Sequence, residues 1–193
     1  MIVEPLTGSA IAAAIPALAR LRIAVFAEWP YLYAGDLAYE ERYLAGFAAE
    51  AGALLVVARD GETIVGASTA SPMAGQDEDI RAPVATAGFD VARICYFGES
   101  VLLPEYRGRG LGHAFFDARE AHARAMGHTT AMFASVIRPK DHPARPAGHR
   151  PHDAFWQGRG YAPVAGLTCQ IAWKDHGEEA ETSKPLQFWA HAL

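Results

Sequence analysis

A glycine-rich turn that follows an apolar run is the feature that most constrains the fold of this chain. The run Val101–Leu103 stops at Pro104, and an amphipathic stretch begins near Leu111. The turn between them contains Arg107, Gly108, Arg109, Gly110 and, at the start of the stretch, Gly112. Residues without Cβ accept positive φ, so the backbone N–H groups of such a turn can converge on one point. A helix that starts there adds the positive end of its dipole. The pattern predicts a strand, an anion-binding turn and a helix, in that order.

The spacing of the turn separates it from two common phosphate loops. A dinucleotide-binding turn has Gly-x-Gly-x-x-Gly, and a P-loop has Lys-Ser or Lys-Thr after its last glycine, and this chain has neither. Its Pro-x-Tyr followed by Arg107-x-x-Gly110-x-Gly112 resembles the coenzyme A signature of the GNAT superfamily of acyl-CoA-dependent N-acyltransferases. The alternatives are an ordinary strand-to-helix turn and an Arg-Gly patch that touches nucleic acid. The order of strand, proline, paired arginines and helix favours a phosphate site.

Composition and charge limit the partners. With 193 residues, 51% of them hydrophobic, the chain suits a single domain over residues 1–193. Its net charge of −5 argues against general polyanion binding, so we expect no nucleic-acid partner. The apolar segment 10–29 is interrupted by Pro16, Arg20, Arg22 and Glu28, which argues against a membrane span or export signal. We therefore expect a cytoplasmic protein whose two cysteines are free thiols.

Hydrophobic periodicity predicts an α/β fold on a central mixed, twisted sheet of about seven strands flanked by about four helices. Strands are predicted at residues 2–6, 53–59, 63–71, 91–103, 129–137, 167–173 and 186–192. Helices are predicted at residues 16–27, 36–50, 111–126 and 153–159, with one further short helix at 81–87. The order β-α-α-β-β-β-α-β-α-β-β agrees with the GNAT fold, so the resemblance covers essentially the whole chain.

Three of these predictions concern the position of one residue or one strand. Pro16 is expected at the first position of a helix, where its missing N–H does no harm. The run 91–103 is expected to be one long central strand that leads into the turn. The last strand, 186–192, is expected at an edge of the sheet, although it could also pair across subunits, so that monomer and homodimer both stay open.

The resemblance implies that acetyl-CoA is the acyl donor. Its pantetheine arm would lie in a splay between strand 91–103 and the next parallel strand, bound by backbone groups near Val101 and Leu102. Its pyrophosphate would sit on the N–H groups of Arg107, Gly108, Arg109, Gly110, Leu111, Gly112 and His113, with the glycines leaving room for its approach. The acetyl group would then move directly to a primary amine of a small molecule or a peptide.

Glu99 is the candidate general base. An ammonium with a pKa of about 10.4 is almost wholly protonated at neutral pH, so some group must take its proton. Glu99 lies just before the turn. The family that the chain resembles often has a glutamate there that acts through a bound water. A carboxylate on a half-buried apolar strand suits that role. The alternative is a paired carboxylate that orders a helix or loop.

The chain departs from the family at the expected general acid. The segment Asp153–Tyr161 places Trp156 where the family usually has a tyrosine. An indole N–H donates a hydrogen bond but does not deliver a proton. Water, Tyr96 or His152 could replace the tyrosine, and packing at the acyl or substrate end is the favoured role of Trp156. The same departure leaves a non-catalytic acyl-CoA sensor of this fold as the alternative function.

The acceptor side is less determined. Residues 138–152 form a proline-rich basic connection whose first cation is Arg138. Its positive charge suits an anionic substrate or the CoA 3′-phosphate. The alternative is a surface lid without a substrate role. Tyr31 and Tyr33 lie in a loop over the expected acceptor entrance and could bind substrate or simply pack. The histidines of the basic connection lack the partners and spacing of a metal site, so no metal is expected.

Overall fold

The computed structural model describes residues 1–193 and places two antiparallel sections on either side of one short parallel strand pair. The strands are β1 Ile2–Leu6, β2 Leu54–Asp60, β3 Thr63–Pro72, β4 Ile94–Tyr96, β5 Ser100–Leu102, β6 Thr130–Val136, β7 Ala162–Trp173 and β8 Thr182–Ala192. The helices are α1 Ser9–Phe26, α2 Leu37–Ala49, α3 Glu78–Thr86, α4 Leu111–Ala125 and α5 Asp153–Gly158. The α/β prediction is confirmed.

The strand order sets where a ligand can enter. The sheet runs β1-β2-β3-β4-β6-β8-β7, and β5 pairs with β3 off this path. The pair β4–β6 is parallel over three residue pairs, and every other pair is antiparallel. Beyond Tyr96 the chain turns to β3, whereas β6 continues beside β8. The two neighbours therefore separate, and this produces the splay expected from the resemblance.

The prediction of one continuous strand over 91–103 is wrong, because the chain breaks between β4 and β5. Gly98 approaches the neighbouring strand so closely that a Cβ would lie 2.6 Å from the Thr69 hydroxyl oxygen. The Glu99 N–H donates to that same hydroxyl at 3.0 Å. The buried Arg119 guanidinium of α4 donates to the carbonyls of Thr69 and Glu99. Contacts from two other elements thus hold the break, and Glu99 lies in it rather than within a strand.

The starts of four further elements differ from the predictions. Helix α1 begins at Ser9, so Pro16 lies inside it, because apolar positions such as Ile11 and Leu18 continue the buried face across the proline. Helix α3 begins at Glu78, since the acidic residues of its first turn suit a helix N-terminus. Both last strands begin earlier than predicted, and β8 lies between β6 and β7, so β7 is the edge strand.

The sheet is covered on both faces. One face packs α4 and a set of aromatic residues that includes Phe115, Phe133 and Trp189, and the other packs α1 and α2. Helix α1 is long and apolar enough, by length and composition alone, to cross a membrane. Its residues Leu18 and Ala19 are fully buried in the fold, as expected of a core helix. Both cysteines are buried free thiols.

Candidate active site

A cleft of about 930 Å³ opens where β5 and β6 separate. The glycine-rich turn, the start of α4 and the loop between α1 and α2 all line it. Its floor is formed by the chain break with Glu99 and by the end of β6, including Ser135. Strand β5 pairs only with β3, and β6 beyond Met132 pairs only with β8. Each strand therefore presents an edge without a strand partner to the cleft.

The glycine-rich turn has the backbone that an anion site needs. Gly108 and Gly110 have φ of +74° and +81°, and Gly110 caps the N-terminus of α4. No atom lies within 4 Å of a Cβ built at either position, so conformation rather than crowding requires glycine there. Gly112 differs, since a Cβ there would meet the Phe155 ring at 3.3 Å. A side chain at Gly112 would therefore crowd α5, and the expectation that Gly112 leaves room for a ligand stays a prediction.

The two arginines of the turn bond to the protein in different ways. Arg107 donates to the Leu102 carbonyl at 3.1 Å and forms an ion pair with Glu28 at 2.9 Å. Arg109 donates to the carbonyl of Glu105 and lies over a tyrosine ring, away from the cleft. The predicted donor-binding residues that line the cleft are Leu102, Arg107, Gly108, Gly110, Gly112 and His113. Val101 and Leu111 have buried side chains in the core, so only their backbone groups can take part.

Glu99 lines the cleft, but its surroundings are not the apolar strand that the sequence suggested. Its carboxylate Oε1 lies 2.6 Å from Nη1 of Arg22, a buried residue of α1. The Arg22 Nε lies 2.5 Å from Oε2 of Glu40, which is fully buried in α2. Glu99 therefore has a charge partner on a helix distant in the sequence. In the sequence, Arg22 stands out only as a charge within an apolar segment.

Trp156 belongs to an aromatic wall of the cleft. Its ring centroid lies 5.0 Å from that of Phe133 and 5.1 Å from that of Trp189. The Trp189 indole donates to the Ser135 hydroxyl at 3.0 Å, whereas the Trp156 N–H has no acceptor in the protein. This placement supports the packing role that the sequence favoured.

The two other candidate acids have different positions. Tyr96 does not line the cleft: it is buried in the core on the opposite face, and burial raises its pKa well above 10. His152 lines the cleft beside Trp156. Burial lowers the pKa of His152 below 6.5, and the neighbouring His149 and Arg107 add to this. A neutral imidazole at this point suits a hydrogen-bonding role rather than that of an acid.

Arg138 is fully engaged by the protein. Its guanidinium forms a two-pronged ion pair with Asp175, at 2.7 and 2.9 Å, and both side chains are 9% exposed. It also donates to the carbonyls of Pro30 and Tyr31 at 2.8 and 2.7 Å. Arg138 therefore fastens the loop between α1 and α2 to the end of β6. Its side chain lines the cleft but has no free donor pair for a substrate anion.

The tyrosines of the entrance loop divide between cleft and core. Tyr31 lines the cleft, and burial, with the nearby Glu99, raises its pKa to about 12. It packs against Phe26 and Trp173. Tyr33 lies outside the cleft, where its backbone pairs with Asp175, and burial raises its pKa. Tyr31 is therefore the one of the two tyrosines whose side chain can meet an acceptor.

The basic connection closes over the cleft. Trp29 lies between two of its histidines, with ring centroids 5.1 Å from His142 and 6.0 Å from His149. Lys140 and Arg145 line the cleft and have no carboxylate within 4.0 Å. No group of three or more His, Cys, Asp or Glu side chains is arranged to hold a metal ion. The connection thus adds positive charge but no metal centre.

Solved structures of several acetyltransferases share this fold over the whole chain. A ribosomal-protein-alanine N-acetyltransferase from Brucella melitensis is 15% identical, with a TM-score of 0.63 and coverage of 100% of both chains. A GNAT superfamily phosphinothricin acetyltransferase from Sinorhizobium meliloti, solved with acetyl-CoA, is 16% identical, with a TM-score of 0.61 and coverage of 100% of this chain and 89% of that one. An aminoglycoside 6′-N-acetyltransferase complexed with coenzyme A is 15% identical, with a TM-score of 0.61 and coverage of 100% and 97%.

These identities establish the fold alone. A search of curated proteins found no match to the chain. The model of the acetyltransferase (GNAT) family matches residues 21–150, which is more than half of the chain and includes both Glu99 and the glycine-rich turn. The protein is therefore a member of the acetyltransferase (GNAT) family.

Proposed function

We propose that this protein is an N-acetyltransferase that binds acetyl-CoA in the cleft and transfers the acetyl group directly to a primary amine, with Glu99 as general base through a water molecule. The observation that carries the proposal is the single cleft that joins the glycine-rich turn to the Glu99 carboxylate. Direct transfer requires the donor site and the base to share one continuous space, and the common lining of this cleft supports that arrangement. Structures of two neighbours hold acetyl-CoA or coenzyme A, which supports the choice of donor.

The chain's own groups account for donor binding. The pyrophosphate would be held by backbone N–H groups of the turn and the first turn of α4, where the helix dipole favours negative charge. Arg107, at the mouth of the cleft, would add a charged, forked donor. The open edges of β5 and β6 offer amide partners to a pantetheine arm. Lys140 and Arg145 add the positive charge that an anionic cofactor needs in a chain of net charge −5.

The proposed reaction starts from the bound ammonium form of the acceptor. Its proton passes through water to the Glu99 carboxylate, and the neutral amine attacks the thioester carbonyl carbon. A C–N bond forms, the C–S bond breaks with its electron pair going to sulfur, and coenzyme A leaves as the thiolate. The nitrogen, which is cationic after the attack, loses its second proton to this thiolate or to water, and Glu99 returns the first proton to solvent. A thiol with a pKa of about 8.5 leaves readily near neutral pH, so the reaction does not need a tyrosine acid. Trp156 would then shape the acyl end of the cleft.

Two measurements test this function in order. Calorimetry with acetyl-CoA tests donor binding, and a screen of small amines, amino acids and peptides for thiol release identifies an acceptor. Glu99→Gln is expected to lower turnover by about 100-fold or more with little change in acetyl-CoA affinity, as is usual for the loss of a general base. Glu181→Gln, at an exposed position, is the matched control and should behave as wild type. Full activity in Glu99→Gln would remove Glu99 from its role.

One observation favours a second function. Trp156, which lines the cleft in place of a tyrosine, is also consistent with a protein that binds acyl-CoA as a sensor. Acetyl-CoA binding without thiol release to any amine in the screen would support the sensor. Thiol release that depends on both an amine and Glu99 would exclude it.

A further inference from the structure

The proposed base, Glu99, belongs to a group of three buried charges. Arg22 of α1 contacts Glu40 of α2 through Nε and Glu99 through Nη1, at 2.5 and 2.6 Å. The three side chains, here called the Arg22–Glu40–Glu99 cluster, are 10%, 1% and 7% exposed. Buried charges are tolerated only when paired, and removal of one partner leaves the other uncompensated. Such a cluster fixes both the geometry and the charge of its members.

The geometry around Glu99 leaves one carboxylate oxygen free. The backbone at Glu99 is held on both sides, its N–H by the Thr69 hydroxyl and its carbonyl by the Arg119 guanidinium. Its Oε1 is buried and contacts Arg22 as an ion pair, without a hydrogen bond of good geometry, whereas Oε2 is not one of the buried unpartnered oxygens and accepts no hydrogen bond from the protein. Since Glu99 lines the cleft, Oε2 is the oxygen available to a water or an amine. Arg22 therefore occupies one side of the carboxylate and leaves the other to a ligand.

The charges of the cluster do not cancel. One guanidinium stands against two carboxylates, so the formal sum is −1. Burial lowers the pKa of Arg22, but Glu99 and Glu40 raise it more, so the net shift is upward and Arg22 stays a cation. The other titratable and charged groups that face Glu99 are Tyr31, Tyr43, Tyr96 and Arg119. The one cation in ion-pair contact with the Glu99 carboxylate is thus shared with Glu40.

We propose that Arg22 and Glu40 are positioning residues for Glu99. Arg22 keeps the Glu99 carboxylate ionised and fixes one of its oxygens. Glu40 contacts the same guanidinium and so weakens its attraction for Glu99. Glu99 can therefore still accept a proton. The residual negative charge favours an acceptor that arrives as a cation, namely a primary ammonium. The catalytic part of this inference rests on the proposed function of Glu99. The electrostatic coupling within the cluster rests on the contacts alone.

Carboxyl ¹³C NMR of glutamate-labelled protein, with the Glu99 signal assigned by Glu99→Gln, tests the coupling without any acceptor. In Arg22→Met, two buried carboxylates lose their shared cation, so the Glu99 signal should titrate about one pH unit or more higher than in wild type. In Glu40→Gln, Arg22 serves Glu99 alone, and the signal should titrate at lower pH than in wild type. Opposite shifts would not follow from a general loosening of the fold. Identical titrations in wild type and both variants would overturn the proposal.

The pH–rate profile of thiol release, measured with the best amine of the screen, tests the catalytic part. Arg22→Met should move the acid limb to higher pH and lower turnover at neutral pH by about tenfold, with acetyl-CoA affinity unchanged. Arg22→Lys should recover part of the loss. If Arg22→Met does not fold, Glu40→Gln tests the positioning role, because its acid limb is expected at lower pH than that of wild type. An unchanged profile while Glu99→Gln is inactive would overturn the positioning role alone. An active Glu99→Gln would overturn the proposed function and the positioning role together.

Discussion

Arg107 of the glycine-rich turn forms an ion pair with Glu28 of the loop between α1 and α2, with Nη2 2.9 Å from Oε2. Both residues line the cleft, so the pair connects the donor end to the loop over the acceptor end. Both side chains are nearly half exposed, and a surface pair of this kind contributes at most about 1 kcal/mol to stability. Its main effect is to place a carboxylate beside the cation that we propose binds a phosphate.

Glu28→Gln should therefore strengthen acetyl-CoA binding severalfold while the melting temperature stays nearly constant. The physical reason is that Arg107 no longer divides its donors between Glu28 and a phosphate. Calorimetry at low and high salt measures the effect, which should shrink as salt screens it. Arg107→Ala is the converse variant and should weaken binding. Weaker binding in Glu28→Gln would contradict this role for the pair.

Gly110→Ala should weaken acetyl-CoA binding and lower stability by about 1–2 kcal/mol, since its φ of +81° opposes a side chain. Gly88→Ala is the matched control, because Gly88 has φ of +86°, open space around a Cβ and no place in the cleft. The two variants should lose similar stability in denaturant titrations. A loss of acetyl-CoA affinity in the Gly88 variant as large as in the Gly110 variant would mean that backbone strain alone explains the effect.

Arg138→Met should lower the free energy of unfolding by about 3 kcal/mol, because it leaves Asp175 buried without its main partner. The loop between α1 and α2 loses the bonds to the carbonyls of Pro30 and Tyr31. We therefore expect the KM for the amine to rise and the acetyl-CoA affinity to change little. Steady-state kinetics at saturating acetyl-CoA give the first quantity and calorimetry the second. Equal losses in both would show that Arg138 supports the whole cleft rather than its acceptor end.

Glu178, between β7 and β8, makes the stability of the fold depend on pH in the acid range. The Asp175 N–H, Lys184 and the Thr182 hydroxyl bond to its carboxylate and lower its pKa to about 2. The folded state therefore holds this carboxylate ionised where the unfolded chain, near 4.5, takes up a proton. Its contribution is fully present above pH 4.5 and is lost as the pH falls toward 2. Melting temperatures of Glu178→Gln should fall less steeply over that window than those of wild type, and parallel curves would contradict this account.

Trp156→Phe should leave turnover within a few-fold of wild type, since the indole supplies packing and not a proton. The smaller ring should cost about 1 kcal/mol of stability through its contacts with Phe133 and Trp189. Thiol release and thermal unfolding measure the two effects. Trp156→Tyr is the companion variant and should also keep the rate. A large gain in rate with tyrosine would show that protonation of the thiolate limits the reaction.

The parts of the fold that depend on residues close together in the sequence were predictable. The turn at Gly108 and Gly110 and the amphipathic helix after it follow from local conformational preference and from periodicity. The break between β4 and β5 was not predictable, because the residues on both sides are apolar and the cause lies in Thr69 and Arg119 on other elements. The burial of β8 likewise follows from the order of strands in space.

The site shows the same division. The residues of the glycine-rich turn predict an anion site through their own chemistry and spacing, and the structure gives Gly108 and Gly110 the positive φ that such a turn needs. The partners of Glu99 and Arg138 come from helices and strands distant in the sequence, so neither Arg22 nor Asp175 has a local signal. Charged residues inside apolar segments, such as Arg22, are the one sign that a sequence offers of such contacts.

The separation of β5 from β6 leaves two strand edges without a strand partner near the centre of the sheet. A ligand with a chain of amides can lie there as an additional strand and supply the hydrogen bonds that neither edge receives from the protein. The free protein then amounts to an incomplete sheet, and its donor substrate to a removable structural element. Amide hydrogen exchange at residues 99–102 and 133–136 should slow when acetyl-CoA binds, as it would if a missing strand were restored.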